Sequence, residues 1–155
     1  MNNKMRPEPH RIMKIVRQTK SESTFRVSYK GDAADGQFFM LSIPKVGEAP
    51  ISVSGKGDGF VEFTIRKVGR LTDGVFQLQE GSSLFMRGPY GTSWPIEKFE
   101  EKPLIVICGG TGMAPVKTLL EHFYNKEDAK EVNLIAGFRD SECTLFDEER
   151  AEFAK

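Results

Sequence analysis

Hydrophobic residues follow two different patterns along the chain. Up to about residue 92, short apolar stretches alternate with polar positions and are interrupted by Gly and Asp, which is typical of antiparallel strands. Six short strands fit a small closed barrel, which leaves no exposed edge. The predicted strands are Arg11–Thr19, Thr24–Tyr29, Gln37–Ile43, Ile51–Ser54, Phe60–Val68 and Ser83–Arg87. Lys56–Gly59 predicts a tight hairpin connection between the fourth and fifth strands, and the apolar spacing of Leu71–Gln79 predicts a short helix.

From Lys102 onward the pattern changes to alternating strands and helices. Leu104–Cys108 is an uninterrupted apolar run, which predicts a strand covered on both faces. Two strands joined by a helix predict a parallel pair and a doubly wound sheet. The expected elements after the first strand are a helix over Pro115–Tyr124, a strand over Val132–Ala136 and a helix from Phe146 to the end.

The change of pattern predicts two domains. Trp94–Phe99 lies at the join and is the expected linker. Residues 1–98 then form an antiparallel six-stranded β-barrel, and residues 99–155 form the N-terminal part of an α/β parallel-sheet domain. Because two strands do not complete such a sheet, we expect the chain to be a fragment of a longer subunit that leaves an open strand edge at Leu134–Ala136.

The strongest functional signal is the glycine-rich turn between the first predicted parallel strand and its helix, Gly109–Pro115. Glycines let a ligand approach the backbone, and Pro115 suits the first turn of a helix, whose free amide groups can face a phosphate. The turn departs from the Gly-x-Gly-x-x-Gly fingerprint, because Pro115 stands where the third glycine would be. The next strand ends in Gly137-Phe138-Arg139 rather than an acidic residue. A tight turn without a ligand is the alternative interpretation.

Composition excludes several classes of function. The 155 residues carry 22 basic and 22 acidic side chains, so no nucleic-acid partner is expected. No apolar stretch approaches the roughly 18 residues of a membrane span, and the polar start lacks a signal peptide, so we predict a cytoplasmic protein. Two cysteines, Cys108 and Cys143, and two histidines, His10 and His122, do not make a zinc or iron-sulfur site within this chain.

Taken together, the two halves resemble the ferredoxin-NADP reductase superfamily, in which an FAD-binding barrel precedes a nicotinamide-nucleotide-binding α/β domain. The resemblance rests on Gly36–Phe39, Leu41–Ser54, Thr64–Gly69, Gly88–Gly91, Gly109–Lys117 and Cys143–Phe146. The Val-Gly-Glu-Ala-Pro-Ile-Ser run beginning at Val46 is most similar to the flavin-carrying subunits of anaerobic sulfite reductases, with the sulfhydrogenases close to them.

The resemblance implies a role for Ser52. The superfamily carries Arg-x-Tyr-Ser on its fourth strand, where the serine reaches toward the reactive flavin nitrogen and the arginine holds the pyrophosphate. The aligned residues here are Ala49-Pro50-Ile51-Ser52, so the serine is kept as the predicted catalytic residue and the arginine is lost. A hydrogen bond from arginine to phosphate contributes about 1.5–3 kcal/mol, so other donors are needed. Arg66, Lys67 and Thr72 are the candidates.

The same resemblance implies two sets of cofactor-binding residues. The set expected at FAD is Pro50, Ile51, Ser52, Thr64, Ile65, Arg66, Lys67, Val68, Gly69, Leu71 and Thr72. The set expected at NAD(P)H is Gly109, Gly110, Thr111, Gly112, Gly137 and Arg139. Without the resemblance, the first set fits equally well an exposed strand followed by a capped helix.

The function that the resemblance implies is electron transfer. Hydride passes from NAD(P)H to FAD, and single electrons leave toward the iron-sulfur and siroheme subunits of a partner sulfite reductase. A two-iron two-sulfur cluster is expected only in a C-terminal part absent from this sequence. One alternative is a gamma-type electron-transfer subunit of a sulfhydrogenase or dihydroorotate dehydrogenase. Another is a truncated, non-catalytic docking module.

Overall fold

In a computed structural model, which describes residues 5–126 and 131–154, the first part of the chain is a closed antiparallel barrel. The strands lie in the order β1-β2-β5-β4-β3-β6, which confirms the predicted six-stranded barrel. Their bounds are β1 Glu8–Arg17, β2 Glu22–Ser28, β3 Phe38–Ile43, β4 Gly47–Gly57, β5 Phe60–Arg66 and β6 Ser83–Tyr90. A short helix, α1, spans Arg70–Val75 between β5 and β6.

Alternating side chains fill the barrel. Phe25 on β2 and Phe63 on β5 are cross-strand partners, and both point into the core. Phe39 on β3 meets Phe63 edge to face, with 5.6 Å between ring centroids. On β2 and β5, the residues that alternate with these core positions point outward, so the outer face of the two strands is polar. The second part of the chain lies against β4 and β5.

The second part is a two-stranded parallel sheet with two helices, as predicted. Its elements are β7 Pro103–Gly109, α2 Met113–Lys126, β8 Glu131–Gly137 and α3 Asp147–Phe153. In the parallel register, Gly109 is the partner of Gly137, so β7 and β8 end side by side. A single turn of 3₁₀ helix, Gly110–Gly112, joins β7 to α2.

The prediction that β7 is covered on both faces is wrong for the described residues. Val106 is buried, but Ile105 and Ile107 are 64% and 73% exposed. On β8, Ile135 is also exposed. The buried side chains of the sheet pack with those of α2 and the segment before α3, which lie on one face. An apolar run therefore does not by itself distinguish one covered face from two.

Several predicted bounds differ from the structure. The fifth strand ends at Arg66 rather than Val68, and α1 ends at Val75 because Leu78 N donates to Val75 O in a tight turn. Leu78 still packs against the barrel core, which is why its helical spacing was misleading. Phe146 does not start the last helix. It precedes α3 in a left-handed conformation, with φ of 57°.

The predicted linker packs with the second part of the chain. Trp94, Ile96 and Phe99 contact the cluster formed by the sheet and α2. The indole Nε1 of Trp94 donates to the carbonyl of Pro115 in the first turn of α2, at 3.1 Å. The segment after the barrel thus holds the start of α2. Across residues 5–126 and 131–154, no helix combines the length and apolar character needed to cross a membrane.

Candidate functional site

The two predicted sets of residues meet where the barrel contacts the α/β part. Helix α2 packs against β4, which carries Ser52, and the turn Gly110–Gly112 lies beside β5. The same turn follows β7, whose last residue, Gly109, is the register partner of Gly137 on β8. The carboxyl edge of the sheet therefore faces the barrel strands that carry the predicted flavin residues. In open α/β sheets this edge is where ligands bind.

The glycine turn has free space above it. A Cβ at Gly110 or at Gly112 would meet no atom within 4 Å, so both backbone positions are open. Gly110 has φ of +52°, a conformation that explains a glycine there. Gly112 has no such φ and no close neighbour, so the fold does not require a glycine at that position. An open backbone at the start of a helix of 14 residues is suited to a phosphate group.

The remaining residues of the nucleotide set lie at the same edge. Gly137 is exposed and ends β8, and Arg139 follows two residues later, also exposed. Thr111 lies within the turn and is half-buried. The structure thus brings Gly109–Gly112 together with Gly137 and leaves Arg139 in the loop that follows.

Ser52 lies on the outer face of β4 with its side chain available. Its cross-strand partner is Phe38, whose ring lies 5.8 Å from that of Tyr90. Within the described residues, the Ser52 hydroxyl makes no hydrogen bond. Ile51, by contrast, is paired with Phe39 and packs against the barrel core, so its side chain is turned away from the outer face. Pro50 is exposed beside them.

The side chains of β5 are largely committed to the barrel itself. The hydroxyl of buried Thr64 is 2.9 Å from those of Thr24 and Ser54, and Ile65 is 2% exposed in the core. Arg66 Nε lies 3.3 Å from the buried carboxylate of Glu22. Thr64 and Ile65 can therefore offer only backbone groups to a cofactor. The Arg66 side chain is 40% exposed, and its ion pair with Glu22 competes with a phosphate.

The segment after β5 is exposed up to the start of α1. Lys67, Val68 and Gly69 are all on the surface, and Val68 is 72% exposed. A Cβ at Gly69 would meet no atom within 4 Å. This open backbone segment is the one predicted to hold the flavin phosphate.

Thr72 stabilises the start of α1. Its hydroxyl accepts from the amides of Val68 and Gly69, at 2.9 and 3.0 Å, and donates to the carbonyl of Gly69. Leu71 beside it is buried against the barrel core. Because the Thr72 hydroxyl and two nearby amides are engaged with each other, fewer groups are left for a phosphate than the sequence suggested.

Two arginines that sequence reasoning did not assign lie near β4. Arg70 is exposed at the start of α1, and its Nη2 donates to the carbonyl of Lys45 at 3.3 Å, in the turn before β4. Arg87 on β6 makes a bidentate pair with Glu48 on β4, with both N–O distances 2.7 Å. This pairing lowers the pKa of Glu48. In the sequence, both arginines lie close to residues of the motifs, and this could have marked them as candidates. Which strand each arginine contacts depends on the strand register, which the sequence does not show.

The site has the chemistry expected for a flavin and a nicotinamide nucleotide; of the three predicted phosphate donors, Lys67 is exposed, Arg66 pairs with Glu22 and Thr72 caps α1. Open backbone lies at Gly69, Gly110 and Gly112, which leaves room for two phosphate groups. The exposed cations beside Gly69 are Lys67 and Arg70, whereas Arg66 is paired with Glu22. The residues present therefore fit the two cofactors.

Neither cysteine adds a reactive site. Cys108, at the end of β7, lies 3.5 Å from the sulfur of Met113, and burial raises the pKa of its thiol. A hydrogen bond with Asp140 raises the pKa of Cys143. A raised pKa keeps a thiol in its less reactive, protonated form. Among the described residues, no group of His, Cys, Asp or Glu is arranged to hold a metal ion.

Fold and sequence comparisons agree on the class of protein. The chain has the ferredoxin reductase type of fold: a ferredoxin-NADP reductase from Plasmodium falciparum superposes with a TM-score of 0.82 at 16% identity, over 95% of this chain and 65% of that one. Residues 106–155 match the family model of the oxidoreductase NAD-binding domain. The chain therefore has a fold of the ferredoxin reductase type, and its second part is similar in sequence to oxidoreductase NAD-binding domains.

Curated relatives narrow the comparison. The chain is 36% identical over 118 residues to the sulfhydrogenase 1 subunit gamma of Pyrococcus furiosus, over 70% of this chain and 40% of that protein. It is 35% identical over 136 residues to a probable dihydroorotate dehydrogenase B (NAD(+)), electron transfer subunit, of Methanocaldococcus jannaschii, over 88% of this chain and 49% of that protein. The chain spans about half the length of the curated relatives it matches.

Proposed function

We propose that this chain binds FAD on its barrel and NAD(P)H at the adjoining sheet edge, as the hydride-accepting part of an electron-transfer subunit. The observation that carries the proposal is the open turn Gly110–Gly112, set between the carboxyl edge of the sheet and the outer face of the barrel. When bound, FAD supplies the ability to take up two electrons together and to release them singly.

The residues have distinct tasks in this proposal. The backbone of Gly109–Gly112 binds the nucleotide diphosphate, and Gly137 leaves space at the neighbouring strand end. Ser52 offers a hydroxyl, without a competing partner in the described residues, to the reacting edge of the flavin. Lys67 and Arg70 supply positive charge near the open backbone at Gly69 in place of the missing motif arginine. No side chain needs to act as an acid, base or nucleophile.

The curated relatives favour a gamma-type electron-transfer subunit over the sulfite reductase subunit expected from the sequence. Proteins named as a sulfhydrogenase gamma subunit and as the electron transfer subunit of dihydroorotate dehydrogenase B are 35–36% identical to this chain. We therefore propose a gamma-type electron-transfer subunit, which passes electrons to iron-sulfur centres outside the described residues. The sulfite reductase assignment, with its siroheme partner, has no support from these relatives and stays a prediction.

Two matched glycine variants test the nucleotide site. Gly110 and Gly59 both have positive φ, +52° and +77°, and at both a Cβ would meet no atom within 4 Å. Gly110→Ala and Gly59→Ala should therefore lose similar stability, about 1–2 kcal/mol from left-handed strain. Only Gly110→Ala places a methyl group in the turn, so its Kd for NADH should rise at least about tenfold, or about 1.4 kcal/mol.

The readouts are urea unfolding and titration with NADH. If neither variant changes the Kd for NADH from that of wild type, the turn is not the nucleotide site. An equal rise in both would trace the effect to strain rather than to contact with the nucleotide.

A further inference from the structure

Lys117 on α2 is a buried cation that the proposed function does not use. Its side chain is 8% exposed, although an ammonium group is costly to remove from water unless it is well partnered. It is the fifth residue of α2, near the positive end of the helix dipole, where a lysine is unfavourable. Within α2, an i, i+4 ion pair with Glu121 offsets the unfavourable placement of this charge near the start of the helix.

The ammonium group joins three parts of the molecule. Nζ donates to Oε1 of Glu121 on the same helix at 2.5 Å, and it lies 3.5 Å from the backbone carbonyl of Ser54 on β4. The ring of Phe146, just before α3, has its centroid 5.5 Å from Nζ, within cation–π range. Glu121 balances the charge, while the other two contacts lie outside α2.

The barrel side of this contact is rigid. Ser54 is fully buried, and its hydroxyl is 2.9 Å from that of Thr64, which in turn lies 2.9 Å from that of Thr24. This chain of hydroxyl groups ties β4, β5 and β2 together on their outer face. The carbonyl that Lys117 approaches is thus held by three strands, so a shift of Lys117 moves α2 rather than β4.

We propose that Lys117 is a positioning residue that sets the turn Gly110–Gly112 relative to Ser52; this role rests on the proposed function. Lys117 is about 7.5 Å along the helix from Gly112, at 1.5 Å per residue. Ser54 is about 7 Å along the strand from Ser52. The contact therefore couples the two halves of the site over short distances.

The inference is tested with Lys117→Met, Lys117→Arg and Lys102→Met. Methionine keeps most of the side-chain volume but removes the charge, and the carboxylate of Glu121 that loses its partner is 35% exposed, so water can still reach it. Lys102 is exposed, and within the described part of the chain its Nζ donates to the carbonyl of Lys98 alone, at 3.0 Å, so Lys102→Met is the matched control. Lys117→Arg keeps the positive charge and tests rescue.

The first readout needs no cofactor. Hydrogen exchange of the amides of residues 113, 114 and 116–118 should be about tenfold faster in Lys117→Met, near wild type in Lys117→Arg and unchanged in Lys102→Met; Pro115 has no amide hydrogen. Trp94, the one tryptophan of the chain, donates to Pro115 on the same turn of α2, so its emission should shift in Lys117→Met alone. Unchanged exchange and emission in Lys117→Met would overturn the inference whether or not cofactors bind. If Lys117→Met fails to fold, the hydrogen exchange of Lys117→Arg decides. An exchange rate equal to that of wild type supports the inference, and a rate about tenfold faster, despite the retained charge, overturns it.

The second readout uses protein loaded with FAD. Lys117→Met should keep the Kd for FAD within about twofold, because the flavin residues lie on the barrel, and should slow flavin reduction by NADH about tenfold. Faster exchange with an unchanged reduction rate would contradict the positioning role. If neither the wild-type protein nor any variant binds FAD, the proposed function is rejected. The hydrogen-exchange data would still show whether Lys117 positions the start of α2.

Discussion

Ser52 is the residue on which the proposed chemistry depends most. It lies on the outer face of β4, opposite Phe38, and its hydroxyl is unengaged within the described residues. A polar group without a protein partner, on a strand that packs against the helix following the open turn, is suited to a ligand. The neighbouring serine, Ser54, is by contrast fully committed to Thr64.

Replacing Ser52 with alanine should slow flavin reduction by NADH. The loss of one hydrogen bond, about 1 kcal/mol, corresponds to a rate about fivefold lower, with little change in stability because the hydroxyl has no partner to leave unsatisfied. Anaerobic stopped-flow absorbance measures the rate. Ser83→Ala is the control, since Ser83 is exposed at the start of β6 beside Arg11. A rate equal to that of Ser83→Ala would remove Ser52 from the mechanism.

At this scale, sequence alone could identify residue types but not their partners. Arg66 and Thr72 are sensible phosphate donors in isolation. In the fold, Arg66 is paired with Glu22 and Thr72 caps α1. The pairing of Arg66 depends on the register of β2 and β5, which no local pattern determines. The open backbone at Gly112 was, in contrast, visible as a glycine-rich turn.

Among the elements, β4 and β6 are joined across β3 by a side-chain pair. Arg87 on β6 pairs with Glu48 on β4. Nη1 of Arg87 also donates to the hydroxyl oxygen of Tyr90, at 3.1 Å. The hydrogen bonds from Arg87 hold the pKa of Glu48 below its ordinary value of 4.5. The ion pair therefore links the strand that carries Ser52 to β6.

This pair predicts a pH dependence. A carboxylate whose pKa is lowered in the folded state stabilises the fold above its ordinary pKa, and the contribution is lost as pH falls through the lowered value. Glu48→Gln should thus be less stable than wild type near neutral pH, and the difference should shrink at an acidic pH well below 4.5, where the lowered pKa of Glu48 is passed and its carboxyl group takes up a proton. Urea unfolding at both pH values measures it. A difference that persists at the acidic pH would show that the pair contributes by packing rather than by charge.

Two neighbouring residues of β7 should differ in how much a substitution lowers the free energy of unfolding. Val106 is buried and Ile107 is 73% exposed, although the two are equally apolar in the sequence. Val106→Thr buries a hydroxyl and should cost about 1–3 kcal/mol, whereas Ile107→Thr should change the free energy of unfolding by less than about 0.5 kcal/mol. Equal losses in urea unfolding would show that the second face is covered in solution.

The elements themselves were largely predictable. Period-two alternation and turn residues were sufficient for the six barrel strands, and the switch to apolar runs separated by glycine was sufficient for the α/β part. Errors arose where tertiary contacts override local spacing. Leu78 packs on the barrel from a turn, and Phe146 takes a left-handed conformation before α3.

For the whole molecule, the essential feature is the junction between the barrel and the parallel sheet. Trp94 and Lys117 both hold the start of α2, one from the linker and one from the barrel. That junction brings the open turn Gly110–Gly112 toward the strand that carries Ser52. The barrel and the glycine turn could each be predicted from sequence, but the contacts that orient them depend on the complete fold.

The central claim is that one chain holds both a hydride donor and a hydride acceptor. The most direct test is the visible absorption spectrum of the FAD-incubated chain, freed of excess flavin and measured without oxygen before and after NADH is added. We expect a bound flavin band that is bleached by NADH and that is bleached far less in Gly110→Ala at the same NADH concentration. A bound flavin whose band persists after NADH is added, or a chain that retains no flavin, would contradict the account.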